Sequence, residues 1–404
     1  MSKMVERPIA VAGHCCVDII PAFDAAVSRA ETALLPGKLV HVGPAHFAAG
    51  GPVPNVGLTL HRLGILPRLL GKVGDDVLGT ILLNLLCQVN PVLASEMIVA
   101  PGESTSYSIV ISPPGVDRLF LHCPGVNDTY GAADLAGTDL AVVRLLHFGY
   151  PPLMRRIYRH NGQELAELLG RAHLQGVTTS LDMARPDPDS EAGQIDWSAF
   201  LRQVLPQVDL FLPSIDELLF MLDRPLFEQL RRSFGDGGIV KGVTGELLTR
   251  LAGQCLDWGA AVVGLKLGDQ GLYLRTTSDN QRLADMGRGF PDECRVWSGR
   301  ELLAPCFQAS VVGTTGSGDA TIAGLLAHIL RGAGPEAAMI SAVAVGACSV
   351  EALDASSAVP SWDQVQQRIA SGWQRCTVSL SLPGWQWDSS VGIWRSPLDT
   401  TNAR

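Results

Sequence analysis

"VVGTTGSGDATIAGLLAHIL", residues 311–330, sets three glycines, several hydroxyl side chains and one Asp within nine residues, directly ahead of a long apolar helical pattern. A Gly-rich turn feeding a helix start aims backbone N–H groups and the positive end of the helix dipole at one point, which suits a phosphate or a developing oxyanion. Asp319 falls in or beside the first helical turn, and two readings of it are open. In one it caps the helix, worth about 0.3–1 kcal/mol through the dipole, while the glycines only turn the chain. In the other it takes the proton of a hydroxyl that attacks a phosphoryl group held by the same N–H groups.

A second glycine cluster stands near the other end, in "AAGGPVPNVGLTLHRLG", residues 48–64. Gly50 and Gly51 let backbone approach a ligand closely, and Asn55, at the start of an amphipathic helix, can both donate to and accept from hydroxyls. Between the clusters, apolar strands alternate with amphipathic helices, the pattern of a mostly parallel sheet covered on both faces. The strands read as "IAVAGHCCVDII", "PRLLGKVG", "RLLHFGY", "VTTSLDM", "VDLFLPS" and "AAVVGLKLG". Helical periodicity follows in "NVGLTLHRLG", "LGTILLNLLCQ", "GQELAELLGRAHLQG", "SIDELLFML" and "DATIAGLLAHILRG", most of them closed by a Gly. Residues 21–48 and 104–125 break this rhythm and read as a small antiparallel sheet. Residues 228–258 read as a helical insertion, and 275–310 as strands joined by a long polar turn.

With 404 residues, 47% hydrophobic and 18% charged, the chain can bury a large core. A formal net charge of −9 argues against nucleic acid as partner, because such binding rests on clustered Lys and Arg. The nine cysteines lack any Cys-x-x-Cys spacing, so reduced thiols in a cytoplasm are expected rather than a disulfide framework or a thiolate zinc site. The apolar runs at the start and at 337–350 are too short for a signal-peptide core or a membrane span.

Together the glycine-rich segments resemble the PfkB (ribokinase-like) family of carbohydrate and nucleoside kinases, from about residue 8 to about residue 370. "GGPVPNVGLTLHRLGILPRLLGKVGDDVLG" is similar to the family's N-terminal signature, with its closing Gly74, Asp76 and Gly79, and "TTGSGDA" resembles the C-terminal signature, usually written Asp-Thr-x-Gly-Ala-Gly-Asp. The resemblance implies an α/β fold, a three-layer α/β/α sandwich with a mostly parallel central sheet and a small β-sheet lid. Residues 1–375 would form the kinase domain and 376–404 a C-terminal extension. It implies ATP-dependent phosphoryl transfer, with Mg²⁺, to a hydroxyl of a sugar or nucleoside-like small molecule, and a lid through which two copies could pair.

Roles follow by position. Asp319 would be the catalytic base, and the backbone of Gly316, Ser317 and Gly318 the anion hole, Gly316 and Gly318 also touching nucleotide. Asp18, Gly50, Gly51 and Asn55 would bind substrate hydroxyls. "SLDMARP" makes Asp182 and Arg185 further substrate contacts; "LKLGDQG" puts Lys266, Gly268 and Gly271 near ATP phosphates; "LPSIDELLF" puts Glu217 beside magnesium. The sequence departs from the pattern at Gly313, where relatives carry an Asp associated with a monovalent-cation site, so potassium activation is expected to be weak. Ser214 replaces the usual Asn before Glu217 and shortens the polar reach to the metal's water shell, so weaker or rearranged magnesium binding is expected; Pro52 and Pro54 stiffen the N-terminal signature, so substrate preference cannot be copied from any subgroup. Gly313 and Ser214 also leave open a binding or regulatory protein on this fold that has lost efficient chemistry, against which Gly316, Gly318 and Asp319 speak. A Rossmann dehydrogenase is discounted, since "AGHCCVD" lacks Gly-x-Gly-x-x-Gly. His14, His41, His46 and His122 have no ligand spacing and read as packed or solvated, Cys15 and Cys16 as core, and Arg231 and Arg232 as an exposed helix face. Trp385, Trp387 and Trp394 in the tail read as packing on their own domain or on a partner subunit.

Overall fold

Alternate residues of the first strand, β1 (Ile9–Gly13), enter different cores: Ile9 and Val11 lie in one buried cluster, Ala10 and Ala12 in the other. That two-sided burial marks a central layer between two helical ones. The computed structural model describes residues 8–23, 37, 39–111 and 119–400. The other strands are β2 (Cys16–Pro21), β3 (Ala45–Gly50), β4 (Arg68–Leu70), β5 (Lys72–Gly74), β6 (Ile98–Ala100), β7 (Tyr107–Ile111), β8 (Leu119–Cys123), β9 (Leu145–Gly149), β10 (Thr178–Leu181), β11 (Leu210–Phe211), β12 (Val262–Lys266), β13 (Leu272–Thr276), β14 (Glu301–Ala304), β15 (Gln386–Asp388) and β16 (Ile393–Arg395).

The main sheet runs β15-β16-β14-β13-β12-β11-β10-β9-β1-β4. It is parallel from β4 to β12 and antiparallel beyond. One face packs against the helices Pro52–Arg62, Val77–Val89, Ser317–Ile329 and Pro335–Ser349, the other against Gln163–Leu174, Trp197–Val204, Ile215–Leu222, Arg224–Phe234 and Gly245–Asp257. A separate sheet, β3-β2-β7-β8, stands apart from the main one, and β5 pairs with β6 alone.

Two apolar runs expected to be single strands are each split between sheets. Residues 9–20 leave the main sheet after Gly13, whose φ of 115° is open to glycine and whose Cβ position is filled by the Gly149 backbone. Residues 67–74 divide at Gly71 into β4 of the main sheet and β5. Hydrophobicity is continuous across both breaks because both sides remain buried, so periodicity alone does not reveal them. The expected polar turn after β13 also carries structure: Asp279 caps a short helix, Asn280–Ala284, and Met286, Phe290 and Trp297 are buried.

Of the expected lid segments, residues 24–36, 38 and 112–118 lie outside the described residues; the remainder contributes β3, β7 and β8 to the small sheet. The span 228–258 covers the end of one helix and the whole of Gly245–Asp257. Residues 386–395 continue the main sheet, pinned by Arg300 and Arg395 on the buried Asp399 and on Glu336. Trp385 lies 6.2 Å from Tyr273, and Trp387 5.5 Å from Trp394.

Candidate active site

The Ser317–Ile329 helix begins at Gly316, whose φ of 70° and ψ of 5° are left-handed and which provides no side-chain cap. A Cβ at Gly316 would collide with Ala355 and press on the Asn55 amide, so the turn can pass here only as glycine. The first N–H groups of the helix are therefore left without a side-chain cap at the place where the dipole favours an anion. Asp319 sits in that first turn and is only 1% exposed.

The Pro52–Arg62 helix supplies the carboxylate's first partner. Pro52 stands in its first turn, where a missing N–H costs nothing, and Gly51 before it has φ 86°. Asn55 Nδ2 donates to Asp319 Oδ2 at 2.8 Å. The Tyr150 hydroxyl donates to Oδ1 and Oδ2, each at 3.1 Å. Burial pushes the Asp319 carboxyl above its usual range, and hydrogen bonding by Asn55, the charge of Lys266 and the Tyr150 hydroxyl oppose that rise.

A cleft of about 770 Å³ opens over this carboxylate. Asp18, Gly51, Asn55, Arg185, Gly316 and Asp319 all line it, as do His14, Cys16, Ser108, His122 and Tyr150. Asp18 lies within β2, in the small sheet, rather than at the end of a main-sheet strand. The Cys16 thiol donates to Asp18 Oδ1 at 3.4 Å, so Cys16 is cleft wall as well as core. Gly50 pairs with Cys16 across the two strands, and any Cβ there would strike the Asp18 carboxylate. Arg185 reaches the cleft while pairing with Asp236 at 3.0 Å.

Lys266, at the end of β12, lies under the helix start, 3.4 Å by its Cδ from where a Gly318 Cβ would stand. Its Nζ is 2.6 Å from Asp182 Oδ1, and Asp182 is fully buried with Oδ2 lacking any partner. Burial pushes the Asp182 carboxyl up and Lys266 pulls against it; burial likewise draws Lys266 down, but Asp182, Glu217 and Asp319 leave it raised. Glu217 Oε2 accepts the Ser214 N–H at 2.7 Å and the Ser214 hydroxyl accepts the Glu217 N–H at 3.3 Å, a capping box that fixes this carboxylate at a helix start. Burial raises the Glu217 carboxyl and Lys266 opposes it. Gly268 and Gly271 form the β12–β13 turn and do not line the cleft.

Magnesium that arrives with a nucleotide needs only one or two protein carboxylates, since phosphates and water complete its shell. The fixed Glu217 carboxylate and the unpartnered Asp182 Oδ2 fit that modest demand. Among the described residues no group of three or more His, Cys, Asp or Glu side chains could hold a metal alone.

Tyr150, His14, His122 and Ser108 are among the cleft residues to which the sequence assigned no role. Tyr150 ends "LLHFGY" in a left-handed conformation, φ 63° and ψ 47°, which no propensity signals. His14 is buried with both ring nitrogens unpartnered, 5.3 Å from the His122 ring, and burial holds it well below the usual imidazole range. His122 shares a 3.0 Å contact with the Ser108 hydroxyl.

Residues 8–362 match the sequence model described as pfkB family carbohydrate kinase. An uncharacterized sugar kinase of Archaeoglobus fulgidus is 25% identical over 273 residues, 68% of this chain and 86% of that protein. The 2-dehydro-3-deoxygluconokinase of Bacillus subtilis is 24% identical over 347 residues, 83% of this chain and 90% of that protein. Among solved structures, Arabidopsis thaliana ribokinase complexed with ribose and ATP shares the fold with a TM-score of 0.65 and 16% identity, over 90% of this chain and 98% of that one. Among the described residues no helix is long and apolar enough to cross a membrane.

Proposed function

The chain belongs to the pfkB family of carbohydrate kinases, and from that premise we propose that it transfers the γ-phosphoryl group of ATP to a hydroxyl of a sugar or sugar-like small molecule. The observation that carries this reading is the Asp319 carboxylate, buried in the first turn of a helix opened by glycine and lining the same cleft as Asp18. An acceptor held by Asp18 and Asn55 would bring one hydroxyl to Asp319. As the hydroxyl oxygen forms its bond to phosphorus, the bond to the leaving ADP oxygen breaks with its electron pair, and the hydroxyl proton passes to the carboxylate. The uncapped N–H groups at Gly318 and Asp319 face the charge that builds on the transferring group, and Lys266 beneath them adds a positive charge. A base raised by burial toward neutrality suits the proton transfer better than an ordinary Asp. Magnesium bound with the nucleotide supplies charge neutralisation; Glu217 is the residue that would hold its water shell. The names of the two relatives, a sugar kinase and a 2-dehydro-3-deoxygluconokinase, favour a sugar-like acceptor over a nucleoside. The reading carries with it a reducing, cytoplasmic setting for the nine unpaired thiols and pairing of two copies through the small sheet, whose outer strand exposes Leu119, Phe120 and Leu121.

The test is ATP consumption measured over pentoses, hexoses, their phosphates and nucleosides, repeated with Asp319→Asn on the best acceptor. The variant keeps the volume and loses the base, so kcat should fall roughly 10²–10⁴-fold with nucleotide affinity little changed. Near-normal turnover would remove Asp319 from the role, and absence of turnover with every acceptor would favour a binding protein.

A further inference from the structure

Tyr150 occupies a conformation that its sequence does not favour. A bulky residue at φ 63° pays about 1–2 kcal/mol, and such a cost persists only where the surroundings impose it. The two residues that flank it do so. Gly149, just before it, accepts the His14 N–H at 3.2 Å and lies so close to Pro52 that a Cβ there would overlap the ring. Pro151, just after it, disfavours the right-handed helical region for the residue that precedes it. The result is a phenol turned back over the end of β9, with its hydroxyl equidistant from both oxygens of Asp319.

From this geometry we propose that Tyr150 is a positioning residue for phosphoryl transfer: its hydroxyl holds the Asp319 carboxylate in one orientation and in its charged form until an acceptor hydroxyl arrives. The inference rests on the reading of Asp319 as the base. Asn55 already fixes Oδ2 with a single direct bond, so the split donation from Tyr150 adds a second restraint, the one that stops the carboxylate turning about its Cβ–Cγ bond. A donation shared between two oxygens is weaker along each than a linear bond, and the hydroxyl can yield one oxygen to an incoming acceptor without leaving the other. A phenol can donate here and carries no charge, so it supports the carboxylate without quenching it as Lys or Arg would.

The charged groups around the pair are Lys266 from β12, Asp182 after β10 and Glu217 from the Ile215–Leu222 helix; the His14 ring lies 6.1 Å from the Tyr150 ring. The three carboxyl groups share one lysine, so on net charge alone each would tend to hold a proton. Hydrogen bonds from Asn55 and Tyr150 to Asp319 work in the opposite direction, as does Lys266.

Tyr150→Phe removes only the hydroxyl and keeps the ring that fills the turn. With aspartates labelled at the carboxyl carbon, the Asp319 resonance is identified as the one missing from Asp319→Asn, and its titration can be followed by NMR in the full chain with neither ATP nor acceptor present. Loss of a donor to the charged form should move that titration upward by about one unit. Site-specific 3-fluorotyrosine at position 150, a stronger donor, should move it the other way. Once an acceptor is known, Tyr150→Phe should lower kcat about three- to thirty-fold, raise the acid limb of the kcat/KM profile by the same amount and leave the KM for ATP within twofold. An Asp319 titration unmoved by both changes overturns the proposal. Full activity in Asp319→Asn would instead overturn the reading of the base, whatever the Tyr150 variants do.

Discussion

Lys266→Met tests the charge cluster under the helix start. Met retains most of the stem volume but deletes the ammonium that stands 2.6 Å from Asp182 Oδ1, and Asp182 is completely buried with its other oxygen unpartnered. Removing one member of a buried ion pair costs about 3–5 kcal/mol, because the remaining charge has neither water nor counter-ion. The carboxylate has one escape, which is to take up a proton. From an unfolded-state value near 3.9, protonation costs about 1.36 kcal/mol per pH unit, so at pH 8 it costs about 5.6 kcal/mol, no less than the bare charge, and at pH 5.5 about 2 kcal/mol. The sign follows from proton counting. Burial already holds Asp182 up in the parent and Lys266 opposes it; without Lys266 the folded-state value rises further, the folded variant keeps its proton to higher pH than the parent, and its deficit grows as pH rises. At roughly 2.1 cal/mol/K per residue, a chain of this length loses about 1.2 °C in Tm per kcal/mol. Thermal unfolding of the variant and the parent side by side should therefore show a deficit of about 4–6 °C at pH 8, shrinking to about 2–3 °C at pH 5.5. Adding Asp182→Asn to the variant should recover most of the loss at pH 8. A deficit constant across that range, or a double variant no better than the single, would refute the argument.

Glu217→Gln should raise the magnesium concentration needed for half-maximal activity, because a hard cation and its waters favour an anionic oxygen. Gln can still accept the Ser214 N–H in the capping box, so Tm should not move; an unchanged magnesium titration would leave Glu217 with the cap alone. Exchanging K⁺ for Na⁺ at fixed ionic strength should change kcat by less than about threefold, under about 0.7 kcal/mol. Gly313 packs against the carbonyl of Ala352 and the backbone of Leu353, and the nearby Asp354 carboxylate is occupied by the N–H groups of Ser356 and Ser357; a tenfold K⁺-specific stimulation would contradict this.

The parts of the site that could be read from sequence are those whose chemistry is local. A glycine turn, a helix start and an Asp within one turn are contiguous, and the left-handed φ of Gly316 is the conformation that the glycine there suggests. Asn55 was legible for the same reason, as the polar residue that opens a helix behind a Gly pair. Tyr150 was not: its reach to Asp319 depends on Gly149 being pressed against Pro52, a contact between segments nearly a hundred positions apart, and its backbone runs against the preference of an aromatic residue. Lys266 was placed by its turn context, but its pairing with Asp182 joins two strand ends 84 positions apart. The strand breaks at Gly13 and Gly71 escaped because an apolar run looks the same whether it stays in one sheet or changes to another. The tail strands are three residues each, too short for a period to register.

Those breaks are also what assembles the cleft. Had residues 9–20 continued as one strand of the main sheet, Asp18 would have run on beyond the end of β9, away from Asp319. The turn at Gly13 and His14 instead carries the chain into the small sheet, where β2 lies between β3 and β7 and Asp18 lines the same cleft as the glycine-opened helix. On the proposed reading the base sits in the main layers, where hydrogen bonds tie Asp319 to Asn55 and Tyr150, whereas Asp18, Ser108 and His122 on the cleft's other lining belong to β2, β7 and β8. A change in the small sheet alters what the cleft holds while leaving the carboxylate's hydrogen bonds intact. For a family whose members act on different acceptors, that division would let the proposed acceptor pocket vary without disturbing the proposed base and its hydrogen bonds.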